Sequence, residues 1–276
     1  MKTVLVTGSS AGIGAAAAVA LCAQGHRVQI TGRSVEKLAA VRRRMTAAAP
    51  PDVDVPEPIA SDLASLDGVR TLARTVLDRH DRLDVLVNNA AVQPVRRQVS
   101  ADGIELGWAV NHLAVFVMTA ALTDRLADSG GRVVTTSSDA HADGVIDLDD
   151  IPMEHQWTAA ASYGRSKLAN ILFTTELARR TGLPASSFHP GSISTDLNRD
   201  SRLFRVGKPI EKIIYGSPAK GAQTLVWLAT SAEGGKPSAA YYVKRAAAVP
   251  SDSALDAELA ARLWDNSAEM AKVTTT

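Results

Sequence analysis

The chain has 276 residues, 30 Lys plus Arg against 29 Asp plus Glu, a formal net charge of +1 and 46% hydrophobic content. That balance excludes a broad electrostatic field for DNA, RNA or an anionic membrane, so a charged partner has to be recognised locally. The lone Cys22 excludes an internal disulfide, and the six His include no i, i+4 pair and no Cys neighbour, which leaves no support for a zinc site.

Met1-Lys2 leads straight into Thr3-Val4-Leu5-Val6-Thr7, with no room for a cleavable signal, and no uninterrupted apolar run approaches the roughly 20 residues of a membrane helix. These features predict a cytoplasmic protein. Short apolar runs then alternate with longer periodic ones, the signature of βαβ units. Strands are expected at Val4–Thr7, Arg27–Thr31, Pro58–Ser61, Leu83–Val87, Arg132–Thr136, Ala185–Phe188 and Ala240–Val243. Helices are expected at Gly14–Gln24, Val35–Ala48, Leu66–Asp78, Gly103–Ala127, Ala161–Arg180, Ala219–Thr230 and Ala254–Met270. With no internal repeat or linker, the pattern predicts a single-domain α/β Rossmann fold, a doubly wound parallel sheet of about seven strands flanked by helices. Two stretches interrupt the rhythm: an acidic insertion at 139–160 and a mixed basic and apolar loop, lid-like, at 192–218. Both follow strands and so emerge at the carboxyl edge of the sheet, where open α/β folds bind ligands.

The first chemical signal is Thr7-Gly8-Ser9-Ser10-Ala11-Gly12-Ile13-Gly14, between a strand and a helix. Gly8 suits a tight turn, Gly12 close approach of a pyrophosphate, and Gly14 close packing of helix on strand, with the helix amino terminus facing the phosphates. The bland reading is a βα turn with packing glycines. At the end of the second strand Thr31-Gly32-Arg33-Ser34 carries no acid for a ribose 2′-hydroxyl, and the Arg33 guanidinium suits a 2′-phosphate, which favours NADP(H) over NAD(H). Otherwise Arg33 is a solvated turn residue. Asp62, in Ser61-Asp62-Leu63, reads equally as an adenine contact and as a helix cap.

A second signal is Tyr163-Gly164-Arg165-Ser166-Lys167, whose i, i+4 spacing puts Tyr163 and Lys167 on one helix face. A nearby ammonium would lower the phenol pKa from about 10, making an acid/base unit. Ser137 and Ser138 end the fifth strand at the same sheet edge, either to hold a substrate oxygen or to cap their own turn. Asn111 is a polar residue in the apolar Trp108-Ala109-Val110-Asn111-His112-Leu113, where a buried amide carries a hydrogen-bonding duty that is structural or catalytic.

Together these residues resemble the short-chain dehydrogenase/reductases, through Thr7-Gly8 to Gly12-Ile13-Gly14, Asp62-Leu63, Asn88-Asn89-Ala90, Asn111, Ser138, Tyr163 with Lys167, and Pro190-Gly191. Val110-Asn111-His112-Leu113, Ser137-Ser138-Asp139-Ala140-His141, Ser166 to Phe173, His189-Pro190-Gly191 and the long Ser138–Tyr163 spacing resemble the retinol-dehydrogenase-like branch most. The resemblance implies that Tyr163 exchanges a proton with the substrate oxygen. It implies that Lys167 lowers the Tyr163 pKa and bonds the nicotinamide ribose, that Ser138 orients the carbonyl, and that Asn111 anchors a relay water. Asn89 and Ala90 would line the adenosine ribose, and Pro190, Gly191, Ile193 and Thr195 the nicotinamide end. One departure is Ala91 where the family usually has Gly, which adds a methyl and alters the turn if that position needs positive φ. The amino-terminal membrane anchor of many relatives is not expected here, so their membrane habit and lipid substrates are not carried over.

The six acids between Asp139 and Glu154, and Arg42-Arg43-Arg44, read as solvated faces. His141, Trp157 and Gln93 are candidate substrate contacts, and Ile210, Ile213 and Ile214 form either a lid's apolar face or core packing. The resulting expectation is an NADP-dependent oxidoreductase interconverting a ketone or aldehyde with its alcohol, acting on a bulky or lipophilic small molecule. Homo-oligomerisation as dimer or tetramer is expected through the helices after Tyr163 and near Thr224. Two rivals share the fold. A non-catalytic NADP-binding sensor would more naturally have lost Tyr or Lys, and a sugar-nucleotide epimerase or dehydratase usually needs a longer carboxyl-terminal domain and another glycine spacing.

Overall fold

The structure, a computed structural model, describes residues 1–191, 217–236 and 239–274. The expected lid at 192–218, with Ile193, Thr195, Ile210, Ile213 and Ile214, lies outside the described residues apart from its last two positions. One eight-stranded sheet runs in the order β3-β2-β1-β4-β5-β6-β7-β8, with β1 Thr3–Val6, β2 Arg27–Gly32, β3 Ile59–Ala60, β4 Val85–Asn88, β5 Arg132–Thr136, β6 Ala185–His189, β7 Ala239–Val243 and β8 Ala246–Ala248. All neighbouring pairs are parallel except β7 with β8. Chain direction across the sheet reverses between β1 and β4, which opens the crevice where such sheets bind ligands.

Alternation along β1 explains the two layers: Leu5 points into one apolar core, Val4 and Val6 into the other, and all are fully buried. The first core is closed by α3 (Leu66–Arg79), α4 (Leu106–Asp128), α5 (Ala159–Thr181) and α7 (Ala257–Ala271). The second is closed by α1 (Gly12–Ala23), α2 (Val35–Ala48) and α6 (Pro218–Thr230). Helix α4 is long and apolar enough to cross a membrane, but 78% of its apolar window is buried in the fold, where it serves as a core helix.

Three departures from the sequence pattern have local causes. The helix expected from Gly103 starts at Leu106, because Gly103 sits at φ +78° in the preceding turn and Glu105 caps the start, accepting from the Gly107 and Trp108 N–H groups. Within α4, Ala109–Leu113 is a π-helical turn, a bulge that falls on Asn111. The eighth strand escapes the pattern because its hairpin turn is Lys244-Arg245, both at positive φ (50° and 66°), where Asn-Gly would be the usual signal.

Candidate active site

The glycine loop turns where its sequence requires it. Gly8 and Gly12 have φ of +67° and +59°, and a Cβ on Gly8 would lie 2.6 Å from the Ala90 Cα. Gly14 serves a different contact from the expected one: its Cβ would meet the Gly8 carbonyl and the Asn89 amide, both at 2.6 Å, so it seats the helix against the glycine loop and the residues after β4. Thr7 ties these parts together, its hydroxyl accepting from the Asn89 and Ala90 N–H groups (2.9 and 3.1 Å) and donating to the Val87 carbonyl. Ser9, expected at the cofactor, is fully buried, its hydroxyl donating to the Val6 carbonyl and accepting from Thr31 N–H.

Helix α1 is open at its amino end. Ala11 offers no side-chain cap and the first turn holds no acid. By contrast α2, α3, α5, α6 and α7 are capped by Ser34, Ser65, Thr158, Ser217 and Asp256. N–H groups with no side-chain cap among the described residues, next to glycine backbone, fit a pyrophosphate.

A cavity of ≈ 550 Å³ runs from this loop across the carboxyl edge of the sheet. Among the described residues it is lined by Gly8, Ser10, Gly12, Ile13, Arg33, Asp62, Leu63, Asn89, Ala90, Gln93, Ser138, Tyr163, Lys167, Pro190 and Gly191, all singled out in the sequence. It also meets Gly32, Val110, Asp139 and His189, which stand inside the quoted motifs without a role assigned to them, and Gln98 and Leu106, which stand outside them. Of these, Asp139 and His189 were adjacent to recognised positions and could have been found that way. Ser9, Gly14, Asn111, His141 and Trp157 are not in its wall.

The helix-cap reading of Asp62 is corrected, since Ser65 caps α3; Asp62 is exposed at the rim, accepting from Ala64 N–H within its own turn. Arg33 is also exposed at the rim. Ala91 is absent from the residues with positive φ, so its methyl is accommodated without backbone strain.

Catalytic candidates converge at the other end. Helix α5 lies over the end of β5, with the Lys167 Nζ donating to the Thr136 carbonyl (3.2 Å) and Ser137 donating to the Lys167 carbonyl (2.8 Å). The Nζ stands 5.3 Å from the Tyr163 ring centroid. Burial dominates the acid–base behaviour here. It pushes the Tyr163 phenol up to about 12, against a hydrogen bond with Ser138 that lowers it, and the Asp139 charge raises it further. The lowered phenol pKa expected from Lys167 is therefore not found in the free protein. The same burial brings Lys167 down to about 8.

Asn111 is fully buried, its amide donating to the Val92 carbonyl (2.9 Å) and the Ser166 hydroxyl (3.0 Å), while its oxygen accepts from Val92 N–H (2.8 Å). With both donors taken, the side chain holds the loop after β4 instead of facing the cavity. His141 is buried, its Nδ1 bonded to the Ser138 carbonyl (2.6 Å) and its Nε2 accepting from Ser251 N–H (3.1 Å), which positions Ser138 and corrects its reading as a substrate contact. Trp157 donates to Glu105 (3.1 Å). Glu105, itself buried, also accepts from Ser162 and Arg165, which flank Tyr163, and Arg165 donates to the Ile151 carbonyl (2.7 Å). The 139–160 insertion is thus strapped to the helix that carries Tyr163.

Comparison with known proteins agrees with this geometry. The family model described as short chain dehydrogenase matches residues 2–205. The chain is 41% identical over 272 residues to the "Putative daunorubicin C-13 ketoreductase DnrU" of Streptomyces sp. (strain C5), covering 97% of this chain and 91% of that protein. It is 36% identical to human retinol dehydrogenase 14, covering 98% and 86%. An uncharacterised Mycobacterium paratuberculosis protein of known crystal structure superposes with a TM-score of 0.81 at 31% identity, over 100% of this chain and 95% of that one. A short chain dehydrogenase from Burkholderia cenocepacia J2315, crystallised with NADP, gives a TM-score of 0.65 at 29% identity over 87% and 94%. The chain belongs to the short-chain dehydrogenase/reductase family, and it is an oxidoreductase of that family.

Proposed function

We propose that this protein is an NADP(H)-dependent carbonyl reductase that interconverts a bulky, neutral ketone or aldehyde with its alcohol, Tyr163 acting as the acid. The observation that carries the reading is the convergence on one cavity of a helix terminus with no side-chain cap, Arg33, and Tyr163 with Lys167 and Ser138. A nicotinamide cofactor supplies the hydride. The chain's own residues do the rest. Gly8 and Gly12 would let the backbone approach its pyrophosphate, Arg33 would meet a 2′-phosphate, and Lys167 holds its ammonium near the Tyr163 ring. A phenol at about 12 is protonated at neutral pH, the state that donates to a carbonyl oxygen.

Apolar Val92, Pro94, Leu106 and Val110 are part of the cavity wall, which favours a lipophilic substrate body. The ketoreductase named for the C-13 carbonyl of daunorubicin and the retinol dehydrogenases are relatives with substrates of that character by name. The test is calorimetric binding of NADPH and NADH, followed by NADPH consumption with daunorubicin, retinal and a series of aryl ketones and aldehydes. Tyr163→Phe is expected to abolish turnover and leave NADPH binding within a few fold. Retained turnover would refute the acid role.

A further inference from the structure

Among the described residues, the cavity wall holds six side chains that can carry charge: Arg33, Asp62, Asp139, Tyr163, Lys167 and His189. Arg33 and Asp62 follow β2 and β3 on one side of the crevice, and the other four come from the end of β5, from α5 and from the end of β6, on the catalytic side. There the Tyr163 phenol, pushed up to about 12, is neutral at pH 7. Lys167 is only 1% exposed, its Nζ donating to the Thr136 carbonyl (3.2 Å). His189 accepts the Asp139 N–H on Nδ1 (3.0 Å), so that nitrogen carries no proton. Burial holds the His189 pKa below the usual 6.5, with His141 and Lys244 adding to that and Asp139 opposing it. The ring is therefore neutral at pH 7 and leaves the carboxylate 3.8 Å away uncancelled. The solvent-facing charge on this side is that of Asp139, whose side chain is 70% exposed.

That carboxylate is held in place. Its Oδ1 accepts from the Ser138 hydroxyl (2.9 Å) while its own N–H is bonded to His189, which fixes a negative charge one residue from the serine at the catalytic end. Its field reaches the reacting centre, where it raises the Tyr163 phenol, and it raises Tyr241 as well. Apolar Val92, Pro94, Leu106 and Val110 in the same wall screen that field less than water would. Resting on the proposed carbonyl reduction, we infer that Asp139 is a specificity-determining residue: its carboxylate selects against carbonyl compounds that carry an anionic group beside the reacting carbon, such as 2-oxo acids, and in favour of neutral or ammonium-bearing ones. A substrate carboxylate would enter the field of Asp139 as its carbonyl meets Tyr163. An ester of the same acid brings no charge there, and an ammonium reverses the sign.

The test uses protein saturated with NADPH and three probes that differ in charge beside the reacting carbon: benzoylformate, its methyl ester, and 2-aminoacetophenone in its ammonium form. Wild type, Asp139→Asn and Asp139→Lys are compared by kcat/KM, each scored by the ratio between probes so that a general loss through Ser138 cancels. Where a probe binds without turnover, its inhibition constant against a ketone that is reduced supplies the same ratio. Asp139→Asn should lower the ester-to-carboxylate ratio about tenfold, the size of one partly screened unit-charge interaction, and Asp139→Lys should lower it further. The ammonium-to-ester ratio should fall in the same order. In wild type both ratios should move toward those of Asp139→Asn as salt rises from about 0.01 to about 1 M. Ratios within twofold of wild type in both variants overturn the inference and leave the reductase reading standing. So does a wild-type ratio that salt does not move, since that marks selection by shape and not by charge. Turnover of no carbonyl by wild type, on these probes or the wider series, overturns the proposed function and the inference with it.

Discussion

Lys167 stands 5.3 Å from the centroid of the Tyr163 ring while its hydrogen bond runs to the Thr136 carbonyl, so the ammonium is aimed past the phenol and into the backbone of β5. Burying that ammonium works against the free protein, as its pKa of about 8 records. An unfolded lysine keeps its proton up to about 10.4, so between pH 8 and that value the unfolded chain binds more protons than the folded one. Stability from this group therefore rises with pH across that window and is lowest below pH 8. Lys167→Met should abolish turnover yet leave the cofactor-free protein more stable at pH 7, by on the order of 2–3 kcal/mol before the lost hydrogen bond is subtracted. Thermal unfolding at pH 7 and pH 10 checks this: the variant's advantage should shrink at the higher pH, and a pH-independent difference would remove the argument.

In the proposed carbonyl reduction, Tyr163 should make the two reaction directions respond differently to pH. Reduction needs the phenol, which a pKa of about 12 keeps protonated throughout the ordinary range. Oxidation needs the phenolate, whose fraction rises about tenfold per pH unit below that value. Between pH 6 and 7, where Lys167 stays charged, reduction is expected to change less than about twofold while alcohol oxidation gains roughly tenfold in kcat/KM. Initial rates with matched alcohol and ketone decide it. A flat oxidation profile would mean that the burial of Tyr163 does not govern the chemistry.

What the sequence made legible followed from local rules. Gly8 was readable because a strand-to-helix turn needs positive φ, and Tyr163 with Lys167 because helical spacing is strict. Gly14 was read as helix-on-strand packing, but its real neighbours, Gly8 and Asn89, come from the opposite side of the turn and from a strand seventy residues on. Asn111 was recognised as a buried amide with a duty, but which duty depended on a π-helical bulge that no periodicity signals. His141 and Trp157 looked like cleft residues from their loop positions. Their partners, Ser251 and Glu105, are distant in the chain, and such long-range pairing decides whether a loop side chain faces a cavity or locks a wall.

Ala91 offers a separate check on the glycine argument. Its backbone is outside the positive-φ region, so glycine there would relieve no strain and would only loosen the unfolded chain. Ala91→Gly should lower stability by about 0.4–1 kcal/mol with NADPH affinity unchanged. Calorimetry and thermal unfolding on the same preparation test both halves. A gain in NADPH affinity would show that the extra methyl crowds the cofactor cavity.

Arg33 is where nucleotide choice should be decided. Strand β2 ends at Gly32, whose missing side chain leaves room for Ser10, as a Cβ there would stand 3.2 Å from the Ser10 Cβ. The next residue brings a guanidinium to the rim of the cavity, exposed. A charge-assisted bond from arginine to phosphate contributes about 1.5–3 kcal/mol, so Arg33→Ala should weaken NADPH about 10- to 100-fold and leave NADH nearly unchanged. Arg33→Asp should go further, since a carboxylate repels the 2′-phosphate and can accept from a ribose 2′-hydroxyl, which inverts the preference. Arg33→Lys keeps the charge without the planar fork and should fall between the two. Because the site faces solvent, the preference should also narrow as salt rises from 0.01 to 1 M and the screening length falls from about 30 to about 3 Å. Paired titrations of NADPH and NADH on these variants separate the outcomes: an affinity ratio unmoved by Arg33→Asp would make Arg33 a solvated turn residue and place the discrimination elsewhere on the cavity wall.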